Sequence, residues 1–136
     1  EMLFALVMLV VLLVWARAAS MVHVFFPVGE ELGVLGWVEF LAVGSAVGSI
    51  FAAIVFSSSV VALPMMLDRN TDAITSALTS VAAVFQNKGV MALWAALIGS
   101  LMLIGFVTAY IGLVLVLPLI GHATWHAYRE TVKESE

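Results

Sequence analysis

Apolar residues along this chain gather into runs that are too long for a soluble fold. No charged residue occurs from Phe40 to Leu67, which is 28 residues, or from Gly89 to Tyr128, which is 40 residues. A hydrocarbon core about 30 Å thick needs roughly 20 helical residues. The first run therefore predicts one transmembrane helix. The second run would be about 60 Å long as one helix, at 1.5 Å per residue, so it predicts two helices that fold back.

The fold-back is predicted at Ala109–Gly112, with Gly112 supplying the turn geometry. Pro118 is expected to kink the last helix. A further apolar run from Met2 to Phe26 is interrupted by Arg17 and predicts one more span. The predicted fold class is an all-α integral membrane protein, a single bundle over residues 1–136. Its four transmembrane helices are expected at about residues 2–25, 37–63, 90–109 and 112–129.

The connection between the second and third spans has a different pattern. Asn70 or Thr71 can cap a helix there, and Asp72 suits its first turn. Apolar residues recur on one face at helical spacing, namely Ile74, Ala77, Leu78, Val81, Val84 and Phe85. The opposite face carries Thr75, Thr79, Ala82 and Gln86. The pattern predicts an amphipathic helix at about residues 71–87, lying along the cytoplasmic membrane interface.

Composition supports the membrane class, because 64% of residues are hydrophobic and only 10% are charged, against about 25% in soluble domains. A net charge of −4 provides no basic face for nucleic acid, and without Cys there are no thiolate metal sites. Arg69 and Lys88 lie in the second connection, Arg129 and Lys133 near the end, and residues 27–39 hold neither Lys nor Arg. The positive-inside rule then predicts that both ends of the sequence are cytoplasmic.

Arg17 is placed well inside a predicted span, where a bare charge costs several kcal/mol unless it finds a partner. We expect an intramembrane charge pair with Glu39, at the outer start of the next span, with Glu30 and Glu31 as alternative partners. The alternative is a functional Arg that contacts lipid phosphate or a partner subunit.

Gly44 and Gly48 form a GxxxG motif that Ala52 continues one turn later. Small residues at this spacing let a second helix approach closely. The motif predicts helix packing, either within this chain or on a partner chain.

His122 and His126 share one helix face at a spacing of four residues. Such a pair can hold a divalent metal if further ligands arrive, for example from Asp68 or Asp72. Hydrogen bonds to carboxylates or lipid headgroups are the alternative. A bis-His haem within this chain is disfavoured because the third histidine, His23, is predicted near the opposite membrane face.

Two motifs in this sequence resemble a known family. They are PMMLDR at Pro64–Arg69 and GHATWHAYR at Gly121–Arg129, supported by Trp15 and Arg17. Together they resemble the bacterial integral-membrane family called domain of unknown function 2189, most clearly from about Ser59 to Val132. The resemblance implies a bacterial inner membrane and no settled activity.

The same resemblance implies additional hydrophobic helices upstream, so the chain is expected to be the C-terminal part of a longer protein; the sequence begins at Glu1 rather than Met. In the predicted topology these motif residues all lie near the cytoplasmic face, so we expect them to form a polar cluster at that edge of the membrane. The members of this cluster are Asp68, Arg69, His122, Trp125, His126 and Arg129.

Three functions remain open on the sequence. The first is a non-catalytic accessory subunit of a larger inner-membrane complex, respiratory or photosynthetic, with membrane lipids and other membrane subunits as partners. The second is a small transporter or channel using Ser57–Ser59 and Arg17. The third is a metal- or haem-handling protein using His122 and His126. No catalytic motif is evident, so neither enzyme activity nor a resident cofactor is expected.

Overall fold

A computed structural model describes residues 2–25 and 33–132, and over these residues the chain is helical apart from short turns. The chain divides into two compact units, Glu1–Phe56 and Ser57–Glu136. The helices are α1 (Met2–Phe25), α2 (Val34–Ser59), α3 (Ala62–Asp68), α4 (Ala73–Gln86), α5 (Lys88–Val107) and α6 (Leu113–Thr131). The predicted all-α class is confirmed for the described residues.

Three helical stretches are long and apolar enough to cross a membrane: Met2–Phe25, Val34–Asp68 and Lys88–Val107. They correspond to the first three predicted spans. The fourth predicted span, 112–129, falls on α6 but is not among these candidates. The reason is chemical, because α6 is apolar only in its first half and carries His, Arg and Glu after Gly121. The count of four spans is therefore not confirmed.

In the first unit, α1 and α2 each turn one face inward. Along α1 the less exposed positions recur at helical spacing, at Phe4, Met8, Val11, Ala18, Ala19 and Val22. The His23 ring lies 5.3 Å from the Phe40 ring, which joins the end of α1 to the beginning of α2. No residue of α2 is fully buried.

The second unit begins with a helix break that Pro64 explains. Pro64 has no N–H to donate to the carbonyl of Val60, four residues earlier, and its ring crowds that carbonyl. The chain therefore turns at Val60 and Val61, and α3 begins at Ala62. Proline is tolerated in the first turn of the new helix because N–H groups there have no intrahelical acceptor. At the break itself, the Val61 N–H donates a hydrogen bond to the Ser80 hydroxyl of α4 at 3.0 Å.

Helix α4 lies within the segment predicted to be helical, but Asp72 is its N-cap, rather than Asn70 or Thr71. The Asp72 carboxylate accepts from the Thr75 N–H at 3.0 Å. The Thr75 hydroxyl and then its backbone N–H hold the pKa of Asp72 below its ordinary value of 3.8.

The face that α4 buries consists of small residues, namely Ala73, Ser76, Ser80 and Ala83. Small side chains let α4 pack closely on α3, with which it makes extensive contact. Of the apolar residues on the face predicted to lie along the membrane interface, Ile74 is 61% and Leu78 65% exposed.

The fold-back between α5 and α6 occurs where the sequence predicts it, but Gly112 has a different role. The positive φ angles belong to Ala109 (51°) and Tyr110 (68°), whereas Gly112 is in the right-handed helical region with φ −60°. A Cβ at Gly112 would collide with the Thr108 hydroxyl. That hydroxyl accepts from the Gly112 N–H at 3.0 Å. Gly112 is thus required for close approach rather than for backbone freedom.

Contacts along the hairpin show that α5 and α6 run antiparallel. Gly105 lies against Leu113 near the turn, and the start of α5 and the end of α6 line one cavity, for example through Met91 and Ala127. Helix α6 continues through Pro118.

Candidate functional site

Tyr128 connects the end of α3 to α6. Its hydroxyl donates to Asp68 Oδ2 at 2.8 Å and accepts from Arg69 Nε at 3.1 Å. Arg69 Nε and Asp68 Oδ2 are 3.8 Å apart, and both side chains are about one third exposed. The Tyr128 residue itself is only 1% exposed. We call these three residues the Tyr128 link.

Local structure explains why Asp68 and Arg69 both reach Tyr128. Asp68 is the last residue of α3, and Arg69 is its C-cap with extended backbone (φ −128°, ψ 151°). The Arg69 N–H still bonds the Met65 carbonyl at 2.9 Å, which holds the two adjacent side chains at the helix end. Asp68 and Arg69 are predicted from the sequence as members of a polar cluster, whereas Tyr128 is not among the predicted residues. The sequence feature that could have indicated Tyr128 is its position as a tyrosine at the polar end of an apolar run.

The histidine pair lies elsewhere on α6. His122 Nε2 and His126 Nε2 are 3.2 Å apart, their rings meet edge to face at 4.8 Å, and both residues are exposed. At about 100° per residue, His122 and His126 lie roughly 120° and 160° around the helix from Tyr128. The Tyr128 side faces α3, so the pair points away from the Tyr128 link.

The remaining members of the predicted cluster divide between the two sides of α6. Trp125 is half-buried, with its ring 5.8 Å from the Tyr128 ring. Arg129 is exposed on the side of the histidines. The structure thus assembles Asp68 and Arg69 around Tyr128 and places His122 with His126 separately. In the part of the chain that the structure describes, the six residues do not form one contiguous network of contacts.

Arg17 and Glu39 do not form an ion pair among the described residues; the ion pair found there is Arg69–Asp68. The ring contact between His23 and Phe40 explains the difference. Glu39 precedes Phe40, whereas Arg17 lies six residues before His23, about 9 Å further along α1. The alternative partners, residues 30 and 31, lie outside the described residues.

The GxxxG face of α2 is open in the described structure. A Cβ built on Gly44 or Gly48 meets nothing within 4 Å. Gly105 in α5 shows the contrasting case, because a Cβ there would collide with Leu113. Ala52, the third small residue of the motif, is exposed.

A cavity of about 440 Å³ lies in the second unit between the α2–α3 break, the start of α5 and the end of α6. Its lining is mainly apolar, with Asn87, Glu130 and Thr131 as polar members. The Nε1 atom of Trp94, a lining residue, is buried and has no hydrogen-bond partner. The cavity falls within the size range of ligand sites, about 300–1,000 Å³.

Potential ligands for a resident metal are sparse in the part of the chain that the structure describes. No group of three or more His, Cys, Asp or Glu side chains is gathered there. Any ion on His122 and His126 would therefore take its remaining ligands from water or another molecule.

Helical stretches of membrane-spanning length, with few charges, define this chain as a helical integral membrane protein. Residues 1–68 match the family model described as predicted integral membrane protein (DUF2189). The match covers half of the chain, and the chain belongs to this family. No curated protein matches, and no solved structure matches.

The match confirms the family but corrects where the resemblance lies. It covers α1 to α3 and ends at residue 68, whereas the resemblance was expected at about residues 59–132, with this chain as the C-terminal part of a longer protein. The PMMLDR motif is covered up to Asp68. The GHATWHAYR motif, with both histidines of α6, lies outside the matched residues.

Proposed function

We propose that this protein is a non-catalytic membrane subunit that acts by packing its α2 helix against a transmembrane helix of a larger membrane complex. The observation that carries this proposal is the open small-residue face at Gly44 and Gly48. In a bilayer, helices associate through close backbone contact at small residues. A second helix can therefore reach the α2 backbone at these positions.

The geometry of α2 indicates which side of the helix is available. Gly44 and Gly48 are half-buried, and Ala52 is exposed. Successive members of the motif rotate by about 40° around the helix. The motif therefore turns from the inward face of α2 to its outer flank, where a partner helix can lie alongside.

The proposed topology has α6 as a fourth crossing beside α5. The end of α6 lies beside the start of α5 at one cavity and contacts Arg69 through Tyr128, so the polar half of α6 lies at the same membrane surface as Arg69 and the start of α5. The positive-inside rule favours a cytoplasmic position for this surface in a bacterial inner membrane, with α4 along it. Both ends of the sequence are then cytoplasmic. Reporter fusions after Gln86 and after Tyr110 test this, with activity on opposite sides expected.

Site-specific cross-linking in native membranes tests the packing proposal. A photo-reactive amino acid at Ala52 should give one defined cross-linked product with another membrane protein. The matched position is Ala46, which is also exposed but lies about 160° around α2 from Gly48 and should give none. Gly48→Leu should abolish the Ala52 product, because its side chain fills the groove.

Mass spectrometry of the Ala52 product identifies the partner. Subunits of a respiratory or photosynthetic complex would support an electron-transfer setting. Products formed only with a second copy of this chain, equal products from Ala46 and Ala52, or a product that survives Gly48→Leu would each refute packing on a larger complex through this face.

We also propose that a lipid acyl chain occupies the cavity beside Trp94. Its mainly apolar lining suits an acyl chain better than a polar solute. For the same reason the cavity supports a lipid site better than a transport path for polar substrates. Native mass spectrometry from mild detergent should show retained phospholipid. Leu97→Trp, which fills the cavity, should reduce that retention, whereas Leu103→Trp on the exposed surface of α5 should not. Equal retention in both variants would refute the assignment.

A further inference from the structure

The two histidines of α6 have a separation that suits a chelated metal ion. Their Nε2 atoms are 3.2 Å apart. Bonds of 2.0–2.1 Å from Zn²⁺ to imidazole nitrogen would then subtend an angle of about 100° at the metal. This value lies between the octahedral and tetrahedral angles, so the two nitrogens are close enough to bind one ion once each ring turns its lone pair towards that ion.

The protons of the pair are compatible with this role. A hydrogen bond between two Nε2 atoms requires one ring to carry its proton on Nε2 and the other to have a bare Nε2. Metal binding needs both Nε2 atoms bare, so the first ring moves its proton to Nδ1. The neutral imidazole is the form that ligates metal.

The location of the pair gives an ion access from water. Both histidines are exposed, and Trp125 lies between them in the sequence. Tryptophans mark the membrane–water boundary. Headgroup-level water can therefore complete the coordination of an ion held by two protein ligands.

Charged neighbours on α6 partly balance each other at this position. Arg129 lies on the same side of the helix as the histidines and opposes a bound cation. Glu130 follows His126 by one further turn and favours it. Both are exposed, so solvent screens them. The ion must therefore gain most of its binding energy from the two imidazoles.

We propose that His122 and His126 form a bidentate site for a divalent transition-metal ion of the Zn²⁺, Co²⁺, Ni²⁺ and Cu²⁺ class, with water in the open positions. Imidazole ligands suit these ions, whereas Mg²⁺ and Ca²⁺ prefer oxygen ligands. The site does not depend on packing through α2. It would pin the last turns of α6 at the membrane surface.

Isothermal titration of the full chain in detergent with CoCl₂ or ZnCl₂ tests the site, and the visible absorption of bound Co²⁺ reports its ligands. We expect one saturable ion per chain, binding order Cu²⁺ above Ni²⁺, Zn²⁺ and Co²⁺, and no competition from Mg²⁺. His122→Ala and His126→Ala should each weaken binding at least tenfold. His23→Ala, in α1, should leave it unchanged.

A relocation variant separates chelation from histidine content. His126→Ala combined with Ala127→His keeps three histidines but rotates one by about 100° around α6. It should bind as weakly as His126→Ala. Binding like the wild type in this variant, equal loss in His23→Ala, or the absence of saturable binding would overturn the proposal. Circular dichroism and detergent gel filtration confirm that each variant is folded, which the exposure of both histidines leads us to expect.

Discussion

Replacing Tyr128 by Phe tests whether the Tyr128 link holds α3 against α6. The change removes one hydroxyl and leaves the buried ring in place. Two hydrogen bonds are lost, the one donated to Asp68 at 2.8 Å and the one accepted from Arg69 at 3.1 Å. Both partners carry charge, so each bond is of the stronger, charge-assisted kind.

The expected destabilisation follows from the exposure of the partners. Hydrogen bonds to charged groups contribute about 1.5–3 kcal/mol in soluble proteins, and side-chain hydrogen bonds measured in a membrane protein average about 0.6 with a maximum near 1.7 kcal/mol. The Arg69 and Asp68 side chains are 32% and 34% exposed, so water or headgroups replace part of what is lost. We expect Tyr128→Phe to lower the free energy of unfolding by about 1–2 kcal/mol. Tyr128→Ala should cost about 3–5 kcal/mol, because it also removes the aromatic ring.

Equilibrium unfolding of the full chain in mixed micelles measures these differences, with sodium dodecyl sulfate as denaturant and helical circular dichroism as the signal. A double-mutant cycle of Tyr128→Phe with Asp68→Ala isolates the hydroxyl–carboxylate bond, with an expected coupling energy of about 1 kcal/mol. Additive effects within about 0.3 kcal/mol, or a Tyr128→Phe variant as stable as the wild type, would refute the link as a stabilising contact.

Three further changes test contacts in the second unit. Ser80→Ala leaves the buried Val61 N–H without its acceptor, so the same titration should show a loss of about 1–3 kcal/mol. Gly112→Ala drives a Cβ into the Thr108 hydroxyl and should destabilise the hairpin by about 1–3 kcal/mol, seen as a lower thermal midpoint. Asp72→Asn keeps a good N-cap but removes the carboxylate whose pKa is lowered in the folded chain. The wild-type carboxylate stabilises α4 above its ordinary pKa and loses this effect as pH falls through the lowered pKa, so acid loss of helical circular dichroism should shrink in Asp72→Asn.

Matched variants serve as controls for the first two of these changes. Ser100→Ala removes an exposed hydroxyl that bonds a carbonyl of its own helix and should be nearly neutral. Gly99→Ala adds a Cβ that meets nothing within 4 Å and should be neutral or stabilising. The role of Ser80 would be contradicted if Ser80→Ala lowered stability no more than Ser100→Ala. The role of Gly112 would be contradicted if Gly112→Ala lowered stability no more than Gly99→Ala. The role of the Asp72 carboxylate would be contradicted if Asp72→Asn left the acid loss of helical circular dichroism unchanged.

The Gly112 and Asp72 positions show how far local patterns reach. The turn between α5 and α6 was predictable because a 40-residue charge-free run cannot cross one bilayer as one helix. Which residues take positive φ was not predictable, because glycine can serve either backbone freedom or close packing. Thr108, four residues away, decides in favour of packing. The cap of α4 was misplaced by one or two residues, a shift that hydrogen-bond geometry alone resolves.

The sequence by itself determined that this chain is a helical membrane protein, because long charge-free runs have only one stable environment. It also located three of the spans, the hairpin turn and the chemically distinctive residues at the polar end of α6. Only the tertiary structure decided which of these residues meet. Helical rotation separates His122 and His126 from Asp68 and Arg69, although all four are near the same end, and it brings in Tyr128 instead. Sequence spacing gives the face of one helix, whereas contact depends on how that face is turned towards another helix, and that is set by packing across the whole unit.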